Sequence, residues 1–100
     1  MEEIRLVRPC LDDPSKCMAE GHLGGKVDIA MLCTLLEGKV REFKCSVKLG
    51  VARFEMDGRG VMVYRSGRID IRRVGDLEEA SRVIRKVRAM LGEAVSGSSV

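Results

Sequence analysis

The sequence predicts an α+β domain in which an antiparallel sheet of about five strands carries two helices on one face. Three observations predict it. Residues 61–65 and 68–74 alternate apolar and polar side chains, the period of half-buried strands, on either side of Ser66-Gly67. Residues 77, 80, 83, 84, 87 and 91 are apolar and fall on one stripe of a helix. The patterns along the chain run strand, helix, four strands, helix, without internal repeat or linker, which is the order of an α+β sheet covered on one side.

One hundred residues make one domain with a modest core, since a chain of this size hides only about two thirds of the surface it exposes when unfolded. Only Phe43, Phe54 and Tyr64 are aromatic, so packing must come from Val, Ile, Leu and Met. A formal charge of +3 is mild, and its acidic and basic residues are interleaved, which argues against a dedicated phosphate-binding stripe. The charged start Met1-Glu2-Glu3-Ile4-Arg5 has no signal-peptide core, and the longest apolar run, residues 29–36, is too short to span a bilayer. The expected location is therefore cytoplasmic, away from membranes. Cys10, Cys17, Cys33 and Cys45 are then read as free thiols packed like small apolar residues.

Residues 1–15 are expected to be an N-terminal arm or extra strand, with Ile4 and Leu6 alternating against Arg5 and Arg8, then a turn-rich run at Pro9, Asp12, Asp13 and Pro14. The domain proper is assigned to residues 16–92. Residues 16–23 read as a strand with Cys17, Ala19 and Leu23 on one side and Lys16, Met18, Glu20 and His22 on the other. A helix from about 26 to 37 places Ile29, Leu32, Cys33 and Leu36 at core spacing, and Gly38 ends it. Val27, Met31 and Leu35 form a second stripe on that helix, which either packs beneath the N-terminal arm or serves as an interface, including one between two copies of the chain.

Two more strands follow, one from 40 to about 47 and one from 51 to 56, with Ala52, Phe54 and Met56 directed to the core and Arg53 and Glu55 away from it. A turn at residues 57–60 leads to the hairpin. There Gly67 closes a three-residue loop with a bulge, setting Val63 opposite Ile69 and Val61 opposite Ile71. Met62, Tyr64, Arg68, Asp70 and Arg72 fall on the other face. Asp76 caps the second helix with Glu79 three residues on, Arg82, Arg85, Lys86 and Arg88 favour its C-terminal end, and Gly92 stops it. Residues 93–100, small and polar, are expected to be a disordered tail.

The stretch Leu23-Gly24-Gly25-Lys26-Val27-Asp28-Ile29 resembles the turn into the first helix of a TATA-box-binding-protein repeat. The hairpin residues 61–68 and the helix opening Asp76-Leu77-Glu78-Glu79-Ala80-Ser81-Arg82 resemble the later half of that repeat, so the resemblance covers residues 16–92. It implies a single repeat with a curved sheet, convex face under the helices and concave face open. That face would hold Lys16, Met18, Glu20, His22, Arg53, Glu55, Met62, Tyr64, Arg68, Asp70 and Arg72. In the family, the positions of Lys16, Met18 and Glu20 read the minor groove and that of Tyr64 wedges between bases, while the second wedge position falls near Gly50 or Val51, where this chain has no aromatic residue. A second resemblance, through Pro9-Cys10 and Asp13-Pro14, is to archaeal and bacterial proteins that join such a repeat to an iron-sulfur segment. No closely spaced cysteines follow Gly92 here.

These features lead to a small non-catalytic interaction module, with a protein partner or a homodimer, and no cofactor. No nucleophile is paired with a base in the sequence, and there is one histidine. Nucleic-acid binding on the concave face is the rival reading, opposed by Glu20, Glu55 and Asp70. A metal or iron-sulfur accessory is the third, with Cys10, Cys17 and His22 as weakly spaced candidate ligands. Arg53, Arg68 and Arg72 are expected to pair across strands with Glu20, Glu55 and Asp70, leaving Met62 and Tyr64 as an apolar centre.

Overall fold

The computed structural model describes residues 4–7 and 18–95. Six antiparallel strands form one sheet: β1 (Arg5–Val7), β2 (Met18–His22), β3 (Arg41–Ser46), β4 (Val51–Met56), β5 (Arg59–Tyr64) and β6 (Arg68–Arg72), in the spatial order β1-β2-β6-β5-β4-β3. Helix α1 (Ile29–Leu36) lies between β2 and β3, and α2 (Leu77–Leu91) follows β6. The α+β class with two helices is as expected. The strand count is six rather than five, because residues 5–7 pair with β2 and extend the sheet by one edge.

The alternation of the strands sorts their side chains onto two faces. Ala19, Ala52, Phe54, Val61, Val63, Ile69 and Ile71 are buried together with Ile29, Leu32 and Leu36 of α1 and Ala80, Val83, Ile84, Val87 and Leu91 of α2. Both helices thus cover the same face. Val61 lies opposite Ile71 and Val63 opposite Ile69, the register that the Gly67 loop requires. Leu77 departs from its expected place in the α2 stripe and is 47% exposed, with Val74 filling the core at that end.

Local chemistry accounts for the element ends. The Asp28 carboxylate accepts the Met31 amide at 3.1 Å and starts α1 at Ile29, about three residues later than expected. Asp76 accepts the Glu79 amide at 2.8 Å while Glu79 accepts that of Gly75 at 2.8 Å, a reciprocal pair that fixes the start of α2. Between β4 and β5 the loop is only Asp57-Gly58, both with positive φ (54° and 75°), as a two-residue hairpin turn demands. Arg59 and Gly60 therefore belong to β5 and not to the turn. In β3 one extra residue stands between the pairs Arg41–Glu55 and Lys44–Arg53, a bulge at which Glu42 takes φ 51°.

Three expectations about the periphery need correction. Val27 is not on α1: it precedes the helix, is buried, and bridges Val95, while the Asp28 amide donates to the Ala94 carbonyl at 2.8 Å. Residues 92–94 form a short 3₁₀ turn, and Ala94 and Val95 are buried, so the chain beyond Gly92 packs back on the domain through residue 95. Burial of two apolar side chains and two backbone partners is the physical reason. Leu35 packs against the core, and only Met31 of the expected outer stripe is exposed, at 37%. Leu6 of β1 and Ile4 just before it also pack against the core, at the sheet edge.

A further correction concerns the thiols. Cys33 of α1 and Cys45 of β3, with Cα atoms 6.1 Å apart, form a disulfide across a separation of 12 residues. Free thiols are expected from a reducing cytoplasmic location, but α1 lies on the β3 side of the sheet and brings these two cysteines together. No described helix is long and apolar enough to cross a membrane.

Gly67 has φ 99°, and a Cβ built there would lie 2.2 Å from the Gly25 carbonyl oxygen and 2.6 Å from the His22 ring. Gly58, at φ 75°, has nothing within 4 Å of such a Cβ. Gly58→Ala should cost only the left-handed conformation, about 1 to 2 kcal/mol. Gly67→Ala should cost clearly more, by chemical denaturation, because backbone must also move; equal losses would contradict the packing of this turn.

Candidate functional site

The site is the sheet face opposite the helices, which no described residue covers. Its rows follow from the pairing register. Arg5, Glu20, Asp70, Met62, Arg53 and Lys44 stand side by side across all six strands. Met18 opposite Arg72, and Gly60 opposite Glu55 and that opposite Arg41, lie on one side of this row, and His22 opposite Arg68 on the other. The expected face residues from Met18 to Arg72 are therefore brought together. Lys16 lies outside the described residues, as do Cys10 and Cys17.

One half of the face is tightly paired. Arg68 sits between two carboxylates: its guanidinium donates to Asp70 Oδ1 at 3.0 Å and Oδ2 at 3.2 Å, and to Glu20 Oε1 at 3.1 Å. Arg5 donates to Glu20 Oε2 at 2.7 Å. The Tyr64 hydroxyl donates to Asp70 Oδ2 at 3.1 Å, and the Arg68 guanidinium lies over the Tyr64 ring at 5.3 Å from its centre. Asp70 is the one charged residue among the buried set, and its oxygens accept from both neighbours, as a buried carboxylate requires.

These contacts shift protonation in understandable directions. The hydrogen bond from Arg5 holds the Glu20 carboxyl below its usual range, with the charge of Arg68 adding to it. Arg68 is held above its usual range by its hydrogen bond with Asp70. Tyr64 is pushed up, first by burial of its phenol and then by the negative charge of Asp70.

The other half is paired differently from the expectation. Glu55 takes Arg73, at 3.5 Å, rather than Arg53 or Arg72. Arg73 was not among the expected site residues. It reaches the face because it adopts φ 61° just past β6, and alternation alone would have sent it to the helix side. Arg53 and Arg72 make no ion pair or side-chain hydrogen bond among the described residues, and neither do Arg41 and Lys44. Arg53, Met62, Arg72, Arg73, Glu42 and Glu55 surround a depression of about 210 Å³ over Gly60.

His22 has a structural task. Its Nδ1 accepts the Gly24 amide at 3.0 Å, which leaves Nε2–H to donate to the Ser66 carbonyl at 3.0 Å and ties β2 to the β5–β6 turn. No group of three or more His, Cys, Asp or Glu among the described residues is arranged to hold a metal ion. On α2, Lys86 pairs with Asp57 at 3.0 Å and Arg85 donates to the Ser81 hydroxyl at 2.8 Å, so that basic run is partly engaged. Arg59 pairs with Glu79 beside it. No protein family, no curated protein and no solved structure matches the chain.

Tyr64 is the only tyrosine and there is no tryptophan, so ultraviolet absorbance follows its ionisation alone. Its folded phenol should ionise above the ordinary range near 10. Because that folded value is raised, its contribution to stability is full below the ordinary range and is lost as pH rises through the raised value. Asp70→Asn should bring the midpoint part of the way down, leaving the share due to burial. An unchanged midpoint would contradict the contact with Asp70.

Proposed function

We propose that this chain is a small non-catalytic interaction module that docks a partner protein on the open face of its sheet. The observation that carries the reading is the make-up of that face. Met18, Met62 and Tyr64 are half-buried within it; the charged side chains around them are fixed by mutual hydrogen bonds at the β2–β6 end, while toward β3–β4 Glu55 pairs with Arg73 and Arg41, Lys44 and Arg53 have no ion pair among the described residues. Apolar centres with Met, Tyr and Arg beneath a polar rim are what protein interfaces favour.

A protein fits this face better than a nucleic acid does. Base stacking needs an open aromatic surface, and the ring of Tyr64, the face's one aromatic side chain, already carries Arg68 over it and is anchored through its hydroxyl to Asp70. Four carboxylates, those of Glu20, Glu42, Glu55 and Asp70, also lie on or beside the surface a phosphate backbone would cross. A different protein fits better than a second copy, since of the stripe that would have paired two copies Val27 is bridged by Val95, Leu35 packs against the core, and only Met31 is exposed. The run from β2 to α2 supports reading this part as a single repeat similar to that of the TATA-box-binding protein, with β1 added at its edge.

Affinity capture from the native cell with the wild-type chain and with Met62→Glu tests the reading. The expected result is a protein retained by the wild type and released at least tenfold more readily from Met62→Glu, with both chains equally folded by circular dichroism. Recovery of nucleic acid in place of protein, or retention unaffected by the substitution, would overturn it. Duplex DNA should bind weakly and without sequence preference, and lose that binding as salt is raised.

A further inference from the structure

The described glycines differ in why they are glycine, and of the two that lie within strands, Gly21 and Gly60, the second stands apart. Gly24, Gly38, Gly50, Gly58, Gly67 and Gly92 all have positive φ, which side chains resist. Gly21 is extended, but a Cβ there would meet the Ile84 Cδ1 atom of α2 at 2.6 Å. At Gly75 a Cβ would meet the Glu79 carboxylate that accepts its own amide. Gly60 has none of these reasons. It lies in β5 without positive φ, and a Cβ would make ordinary contact with the stem of Arg72 at 3.6 Å. A glycine within a strand gives up both rigidity and packing, and a close approach by a ligand is one reason to keep it.

What the missing side chain leaves open is the depression of about 210 Å³. Arg53 of β4 and Arg72 of β6 line it from the two strands flanking β5, and neither has an anionic partner among the described residues. Arg73 and Glu55 are joined at its rim, and Glu42 completes it, so three arginines and two glutamates line it. Glu42 and Arg73 are also two of the three non-glycine residues with positive φ in the described chain, which is how both reach this rim.

We propose that the depression over Gly60 is a binding site for a single phosphoryl group, held between the guanidiniums of Arg53 and Arg72. Guanidinium forks bind phosphate and carboxylate oxygens in pairs. One carboxylate is satisfied by one fork in its own plane, whereas a phosphoryl group presents oxygens in several directions and accepts forks from two sides. The space is smaller than the roughly 300 to 1,000 Å³ of sites that enclose a whole drug-sized ligand, so it takes the charged group and leaves the remainder of the molecule outside. The site stands on Gly60 and its arginines; it shares Met62 with the docking face but needs no partner protein to bind its anion.

Titration of the free, isotope-labelled chain with inorganic phosphate, and separately with acetate, tests this by nuclear magnetic resonance. Saturable shifts are expected at the Gly60 amide and at the Nε–H groups of Arg53 and Arg72, with Arg82 and Arg85 on α2 unaffected. Acetate should bind at least tenfold more weakly. Gly60→Val fills the depression and should weaken phosphate binding at least tenfold while the chain keeps its fold. Arg72→Gln, which leaves the backbone alone, should weaken it comparably. Shifts spread evenly over all arginines, equal response to acetate, or phosphate binding that survives Gly60→Val would overturn the site. Because no partner protein is present and neither Gly60→Val nor Arg72→Gln alters Met62, failure here would leave the docking reading standing.

Discussion

The fold depends on how the turn at residues 65–67 nests against the segment that leaves β2. The Leu23 amide donates to the Gly67 carbonyl at 2.8 Å and the Val27 amide to the Arg65 carbonyl at 2.9 Å, while His22 holds Ser66. The Arg65 amide reaches the Gly50 carbonyl at 2.8 Å, which adds the β3–β4 loop to the same knot. These backbone partners have few alternatives once the surrounding side chains are buried. They place β2 beside β6, although the two are far apart in sequence, and they set the start of α1. The Gly67 hydrogen in place of a side chain is what lets the Gly25 carbonyl come so close.

With both helices on one face, the other must find its stability from side chains lying flat upon it. At the β2–β6 end this is done by charge: Arg68 serves two carboxylates, and Asp70 can be buried because Arg68 and Tyr64 both donate to it. At the β4–β5 end the same device is absent. Glu55 turns to Arg73, and among the described residues Arg53 and Arg72 have no anion, on either side of a glycine. The face is thus ordered at one end and electrostatically unfinished at the other, and recognition of an anionic group belongs at the unfinished end.

The strands and their faces were legible in the chain because a one-residue slip would invert every side chain. Val61, Val63, Ile69 and Ile71 allow one register around Gly67, and Ala52, Phe54 and Met56 one orientation of β4. The caps at Asp28 and Asp76 carry local signals as well. What could not be read depends on contacts between distant segments. Val27 fits a helical stripe with Met31 and Leu35, and only its bridge to Val95 removes it. Cys33 and Cys45 show no spacing that betrays their meeting. The pairing of Glu55 with Arg73 rests on positive φ in a residue that is not glycine, a conformation no local pattern announces. Gly60 was read as part of a turn, since Asp57-Gly58-Arg59-Gly60 looks like one; only the two-residue loop shows it to be a strand glycine in need of another explanation.

The central claim is that the second face of the sheet is open in the free protein, and methionine methyl groups test it directly. Met18 and Met62 stand on that face, Met56 is 8% exposed on the helix side, and Met31 is an exposed reference. In the presence of an uncharged paramagnetic agent confined to solvent, the Met18 and Met62 methyls should relax far faster than that of Met56 and approach the rate of Met31. A Met62 methyl as protected as that of Met56 would mean that the face is already covered in the free chain, and would contradict the account.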